Sequence, residues 1–225
     1  MCGRYTLTRP GEVGELFEIS ETRIPPRFNI APTQTAPALR LDEAGQKVVS
    51  LLRWGLVPHW WNKSELPKSP FINARSESVA EKPAFRDPFR FRRCLIPADG
   101  FFEWKREGSR KQPFLFRRSD ERLFAFAGLW DRNRKEDETI ESMTILTCPA
   151  NRVVGEIHDR MPVILESSDM WEWLEPGSSE SELLDLLQPF PADRMAYFPV
   201  SRQVNSPRFD NPACIEPLDQ PGLFQ

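Results

Sequence analysis

DGFFEWKREGSRKQPFLFRRSDERLFAFAGLWDRNRKEDETIESMTILT, residues 99–147, settles the architecture. Four runs stand out in it: DGFFEWK (99–105), QPFLFRR (112–118), RLFAFAGLW (122–130) and TIESMTILT (139–147). Each is rich in aromatic and β-branched residues, and polar linkers separate them, as expected for strands. Together they predict an antiparallel meander. Upstream, TAPALRL (35–41) and KVVSLLRW (47–54) flank DEAGQ, a hairpin with a Gly-containing loop. PGEVGELFEI (10–19) places Val13, Leu16 and Phe17 at helical spacing behind Pro10 and reads as a short helix. SSDMWEWLE (167–175) and SSESELLDLLQ (178–188) read as late helices, capped by Ser167 or Ser168 and by Ser178 or Ser179. The expectation is one α+β domain over residues 1–225. It is built on a curved, mainly antiparallel, barrel-like sheet with peripheral short helices. FDNPACIEPLDQPGLFQ (209–225) follows no pattern, so the assignment is weakest from about residue 206 on.

Composition narrows the class. The 225 residues are 40% hydrophobic, with 16 Phe and 7 Trp, enough for a sizeable core. The 22 prolines rule out long uninterrupted helices. No apolar run reaches the roughly 20 residues of a membrane span. No basic segment followed by an apolar one marks a signal peptide. Cys2, Cys94, Cys148 and Cys214 are spread widely without a CxxC pair, arguing against a disulfide framework or a zinc knuckle. A reduced, cytoplasmic compartment is the expectation. Net charge is −3, yet basic residues crowd between Arg86 and Arg118. A local basic face for phosphate is one reading of that run and solvated surface the other.

Cys2 follows the start methionine directly. With Met1 removed, one residue carries an α-amine and a thiol on adjacent carbons, a pair reactive toward aldehydes. The histidines are His59 and His158. His158, in IHDRMP, is either a backbone-bonded structural residue or a proton shuttle. Glu103 lies in FFEW; strand alternation puts it on the face of Phe101, opposite Phe102 and Trp104. Desolvation there would raise its pKa toward that of a general acid or base, whereas on an open strand it is a surface glutamate. Asn73 and Arg75 in INAR point the same way on an extended segment and suit a phosphate or sugar, unless Arg75 is tied to Glu77. Trp60 and Trp61 are adjacent and face opposite ways, so at least one is poorly placed for the core and available to stack on an unpaired base; the alternative packs both under a loop.

Seven segments in fixed order carry a resemblance: MCGRYT, RFNIAPTQ, RWGLVPHW, INARSE, CLIPADGFFEW, IHDRMPVIL and VSRQVN. From Cys2 to about Asn205 the chain resembles the SOS-response-associated peptidase (SRAP) family, whose members shield abasic sites in single-stranded DNA. The resemblance implies that Cys2, once terminal, forms a Schiff base with the lesion's aldehyde and then closes a thiazolidine. It implies that Asn73 orients the amine and sugar, Glu103 handles protons, and His158 assists sugar opening and reversal. It further implies that Arg4 and Arg75 hold phosphates, that Trp60, Trp61 and Pro32 stack or wedge against bases, and that Asn29 and Thr147 line the groove. Cys148, where the family more often has a small polar residue, departs from the pattern beside Thr147. No metal or organic cofactor and no membrane is implied; the partner is single-stranded DNA and a monomer suffices, nucleoid-associated when bound. A peptidase activity at the protein's own N-terminus would expose Cys2, although an aminopeptidase would serve. Two other readings stay open: a thiol peptidase acting on proteins through Cys2, His158 and Glu103, and a non-covalent single-strand binder using the tryptophans and arginines.

Overall fold

A computed structural model describes residues 2–20, 23–62, 66, 70–108, 110–134 and 138–218. Its strands are β1 (Tyr5–Leu7), β2 (Arg27–Ile30), β3 (Thr35–Leu41), β4 (Lys47–Trp54), β5 (Asn73–Arg75), β6 (Arg93–Ala98), β7 (Gly100–Glu107), β8 (Arg110–Arg118), β9 (Phe124–Arg134), β10 (Thr139–Pro149), β11 (Arg160–Pro162), β12 (Ile164–Leu165) and β13 (Met195–Pro199). The helices are short: α1 (Val13–Phe17), α2 (Arg86–Phe91), α3 (Ser167–Leu174) and α4 (Glu180–Asp185).

β10, β4, β3, β6 and β9 pair in that order, and β9 pairs back onto β10, so this sheet closes into a barrel. A second, antiparallel sheet runs β13-β8-β7-β1-β2. The fold class read from the sequence therefore stands, with two corrections. The four central runs are not one meander: β7–β8 and β9–β10 are hairpins in different sheets, and the chain crosses from one sheet to the other at residues 119–123. Moreover, β4 and β5 pair with β10 in parallel. Alternation reports which face a residue takes but is silent about its partner strand.

Aromatic rings weld the sheets together. Tyr5 of β1 lies edge-on to Trp54 of β4 and Phe126 of β9, at 5.2 and 5.7 Å between centroids. Phe101 stacks on Phe116 and meets Phe126 edge-on. Such pairs add about 0.5–1.5 kcal/mol each beyond their buried area. Gly128 makes the close packing of the barrel wall possible: a Cβ there would sit 2.7 Å from Ile96 Cδ1 and 2.9 Å from Cys94 Sγ. A smaller cluster, with Phe102, Leu115, Val200, Val204 and Cys214 at its centre, covers the other face of the second sheet.

The segment that follows no sequence pattern proves integral as far as Leu218. The Asp210 carboxylate accepts from the backbone amides of Phe28 and Asn29 and pairs with Arg27. Leu218 donates its amide to Pro199. Residues 219–225 lie outside the described residues. The helix caps follow the sequence only in part. Ser179 caps α4 with a reciprocal box to Glu182. Neither Ser167 nor Ser168 caps α3; Glu166 is its N-cap residue, without a side-chain bond, and Ser168 instead donates to Asp169.

Candidate nucleic-acid site

The site forms where the two sheets meet. Tyr5 is opposite Phe101, and Arg4 accepts at its carbonyl from the Phe102 amide. Continuing that antiparallel register carries Cys2 and Gly3 past Glu103. From the barrel side, β5 hangs on β10 with Asn73 opposite Ile145. Asn73 Nδ2 reaches across and donates to the Cys2 carbonyl at 2.9 Å. Its Oδ1 is buried and accepts no hydrogen bond among the described residues. The Asn73 amide thus sits against the Cys2 backbone with its acceptor oxygen unspent among the described residues.

Glu103 is 2% exposed, on the Phe101 face that alternation predicts. Burial pushes its carboxyl up to about 7. The Cys2 thiol is fully buried and is pushed up by that burial and by the Glu103 charge, so it rests as S–H. His158 follows a tight turn, and its Nδ1 accepts from the Arg160 amide at 3.0 Å. Burial lowers its pKa. The Asp159 carboxylate also lies 2.9 Å from Nδ1, an ion pair only for a protonated ring. The Arg160 amide and the lowered pKa both favour the neutral ring, so we assign the proton to Nε2. Glu103, His158 and Arg4 line one open pocket of about 410 Å³ with Trp104, Lys111 and Asn205.

Arg4 is held by three acceptors: Asn29 Oδ1 at 3.0 Å and the carbonyls of Val204 and Asn205 at 2.6 and 3.1 Å. Asn29 is fully buried and donates to the carbonyls of Val204, Ser206 and Phe209. It does not line a groove; it fixes Arg4 and the C-terminal segment. Thr147 is likewise fully buried, accepting from Arg160 and donating to the Ala74 carbonyl. Its groove-lining assignment gives way to a supporting one beneath β5. Arg160 also takes both oxygens of Glu77. Arg75 is exposed and has no carboxylate partner among the described residues, so the alternative pairing with Glu77 does not form.

Trp60 is 47% exposed, and Trp61 is half-buried at 6.4 Å between ring centroids. Pro32 sits half-buried at a turn in which Gln34 donates to Ala31. Thr33 in that turn has φ 73°, a left-handed conformation unfavourable for a β-branched residue. The Thr33 amide, donating to the Trp54 carbonyl at 2.8 Å, helps hold it there.

The basic run does not make a single face. Arg90, Arg92, Arg117 and Arg118 pair with Glu180, Asp131, Glu121 and Asp120. Arg93 is buried against four backbone carbonyls. Lys111 alone of the run lines the pocket, and only its place in that run marked it in the sequence. Trp104 Nε1 donates to Asn205 Oδ1 at 2.7 Å, and both line the pocket; in the sequence each stands only as part of a motif. Among the described residues no group of His, Cys, Asp or Glu is placed to hold a metal ion, and no helix is long and apolar enough to cross a membrane.

The family model for SOS response associated peptidase (SRAP) matches residues 1–207. The chain belongs to the SRAP family. A relative called abasic site processing protein YoqW, from Bacillus subtilis (strain 168), is 41% identical, with 96% of this chain and 99% of the relative aligned. Abasic site processing protein YedK from Escherichia coli (strain K12) is 31% identical over 97% of this chain and all of its own. A crystal structure of a Bacteroides thetaiotaomicron protein superposes with a TM-score of 0.85 at 27% identity, covering 96% of this SRAP chain and 100% of its own.

Proposed function

We propose that this SRAP chain captures abasic sites in single-stranded DNA as a covalent adduct of Cys2. One observation carries the reading. A carboxyl that burial pushes up to about 7, an imidazole whose pKa burial lowers and an arginine share a pocket, and Asn73 holds the carbonyl of Cys2, the residue after Met1. The names of the relatives, abasic site processing proteins, supply the substrate class.

The chemistry needs Met1 removed. The α-amine of Cys2 then attacks the aldehyde of the ring-opened deoxyribose. The carbinolamine loses water to give an imine, the Cys2 sulfur adds to the imine carbon, and its proton passes to nitrogen. A thiazolidine closes, and the adduct equals protein plus DNA minus one water. Glu103 at about 7 is matched to an α-amine of ordinary pKa about 7.7–8.0. It takes the ammonium proton and returns one to the departing hydroxyl, as a general base and then acid. His158, with Nδ1 occupied by the Arg160 amide, offers Nε2–H to the sugar ring oxygen as the ring opens. Asn73 Oδ1 accepts from the amine and steers its lone pair. Arg4, Arg75 and the tryptophans hold the strand, one chain per lesion.

A buried S–H argues against a thiol peptidase, which attacks as a thiolate and needs a lowered thiol pKa. Intact mass of untagged protein with and without an oligonucleotide bearing one abasic site tests the proposal. The expected product is protein lacking Met1 plus DNA minus water, with the adduct on Cys2. Absence of any adduct from protein with a free Cys2 amine overturns it.

A further inference from the structure

We infer that Asp131, Asn133 and Ser142 form a buried polar mount that positions Trp60 for the DNA strand. This rests on the function proposed above. The three are 1%, 1% and 0% exposed. Asp131 and Asn133 share a face of β9 by strand alternation, and Ser142 of β10 stands directly opposite Asp131. Segment 57–61 crosses that face and is stapled to all three. Val57 donates its amide to Ser142 Oγ at 2.8 Å. Asp131 Oδ2 accepts the His59 amide at 2.8 Å and lies 3.1 Å from His59 Nδ1. Asn133 Nδ2 donates to the carbonyls of Pro58, His59 and Trp61 at 2.8, 3.1 and 2.9 Å. Arg92 balances the Asp131 charge at 3.0 Å.

The backbone on both sides of Trp60, at His59 and at Trp61, is thus fixed by the mount. A half-exposed indole on an unsupported loop would lose conformational freedom on binding; a pre-fixed one does not. The mount also ties the platform to the chemistry. Gly55 donates to Met143, and β5 rejoins β10 with Asn73 opposite Ile145. Those positions are two residues apart on β10, about 7 Å at roughly 3.3 Å per residue. The tryptophan segment and Asn73 therefore root side by side on one strand.

Single-turnover capture of an abasic single strand, followed against DNA concentration, tests the mount. Wild type is compared with Trp60→Ala, Asn133→Ala and the double variant. Asn133→Ala is expected to raise the half-saturating DNA concentration about tenfold, on the scale of one lost base–aromatic stack, with the plateau rate unchanged. The double variant is expected to match Trp60→Ala alone, because Asn133 acts through that ring. Independent, multiplying losses in the double variant, or a fall in plateau rate, would overturn the inference. Asp131→Asn, which keeps shape and loses charge, should show the same split and serves if Asn133→Ala does not fold. If wild type forms no adduct, the proposed function fails. Titration of unmodified single strands by tryptophan fluorescence then judges the mount: equal affinity in wild type and Asn133→Ala sinks it.

Discussion

Glu103→Gln keeps the size of the side chain and removes its ability to ionise. The wild-type carboxyl sits at about 7 in the folded protein against an ordinary 4.5, because burial disfavours its charge. The folded state therefore holds a proton between pH 4.5 and 7 that the unfolded chain releases. Stability from this group is full below about 4.5 and is lost as pH rises through 7. A shift of 7 − 4.5 = 2.5 units corresponds to about 3 kcal/mol at about 1.36 kcal/mol per unit. Glutamine mimics the protonated acid at every pH. The variant should then be more stable than wild type at pH 8 by about 3 kcal/mol and nearly equal to it at pH 4.5. In melting temperature the gain at pH 8 is about 6–12 °C for a chain of this size. Capture should move the other way, slowing by about 10²-fold or more with loss of the proton carrier. The wild-type rate should also decline as pH falls, first as the α-amine protonates near its ordinary pKa of about 7.7–8.0 and more steeply below 7 as Glu103 protonates; only the second component should vanish in the variant. Calorimetry and single-turnover capture across pH 4.5–8 read both effects. An equal or lower stability at pH 8, or a stability difference that ignores pH, would refute the burial argument. A variant that captures at the wild-type rate would refute the proton role.

The other expectations rest on separate contacts. Cys2→Ser should retain at most an imine that boiling in denaturant destroys, whereas the wild-type adduct survives; gel electrophoresis of heated samples distinguishes them. Arg75→Ala, which removes an exposed cation with no carboxylate partner among the described residues, should weaken capture of abasic strands regardless of sequence. It should also flatten the salt dependence of binding by about 0.7 in log–log slope. Asn29→Ala removes the amide that three carbonyls share and one of the three acceptors of Arg4. It should lower unfolding free energy by about 2–3 kcal/mol in urea titration and weaken capture, since Arg4 keeps only the Val204 and Asn205 carbonyls.

What the sequence disclosed, and what it hid, divides by the range of the interaction. Strand alternation in FFEW placed Glu103 on the Phe101 face, and that local rule is enough to bury it. The hairpin of β3 and β4 and the Ser179 cap are equally local. The exchange of sheets between β8 and β9 had no such mark, because both strands are apolar and aromatic whichever sheet they join. Asn29 and Thr147 show the harder case. Each stands in a motif among polar neighbours, where a groove-lining role is a natural reading. Each is buried because carbonyls or side chains distant in sequence need a partner there: Val204, Ser206 and Phe209 for Asn29, Arg160 for Thr147.

The same logic explains why the Asp131–Asn133 mount and the Asp210 lock went unread. A buried polar side chain that satisfies remote backbone groups has no period and no spacing. DRNRKEDE reads as a charged linker, yet Asp131 and Asn133 within it are among the most buried polar residues of the chain. FDNP reads as a tail, yet Asp210 fastens the strand that carries Asn29 and hence Arg4. Polar residues in apparent linkers are thus where the positioning of this site is concentrated. The reactive groups themselves stand in recognisable motifs on regular strands and turns. Their supports are the residues whose loss should alter affinity and pH response without deleting any step of the chemistry.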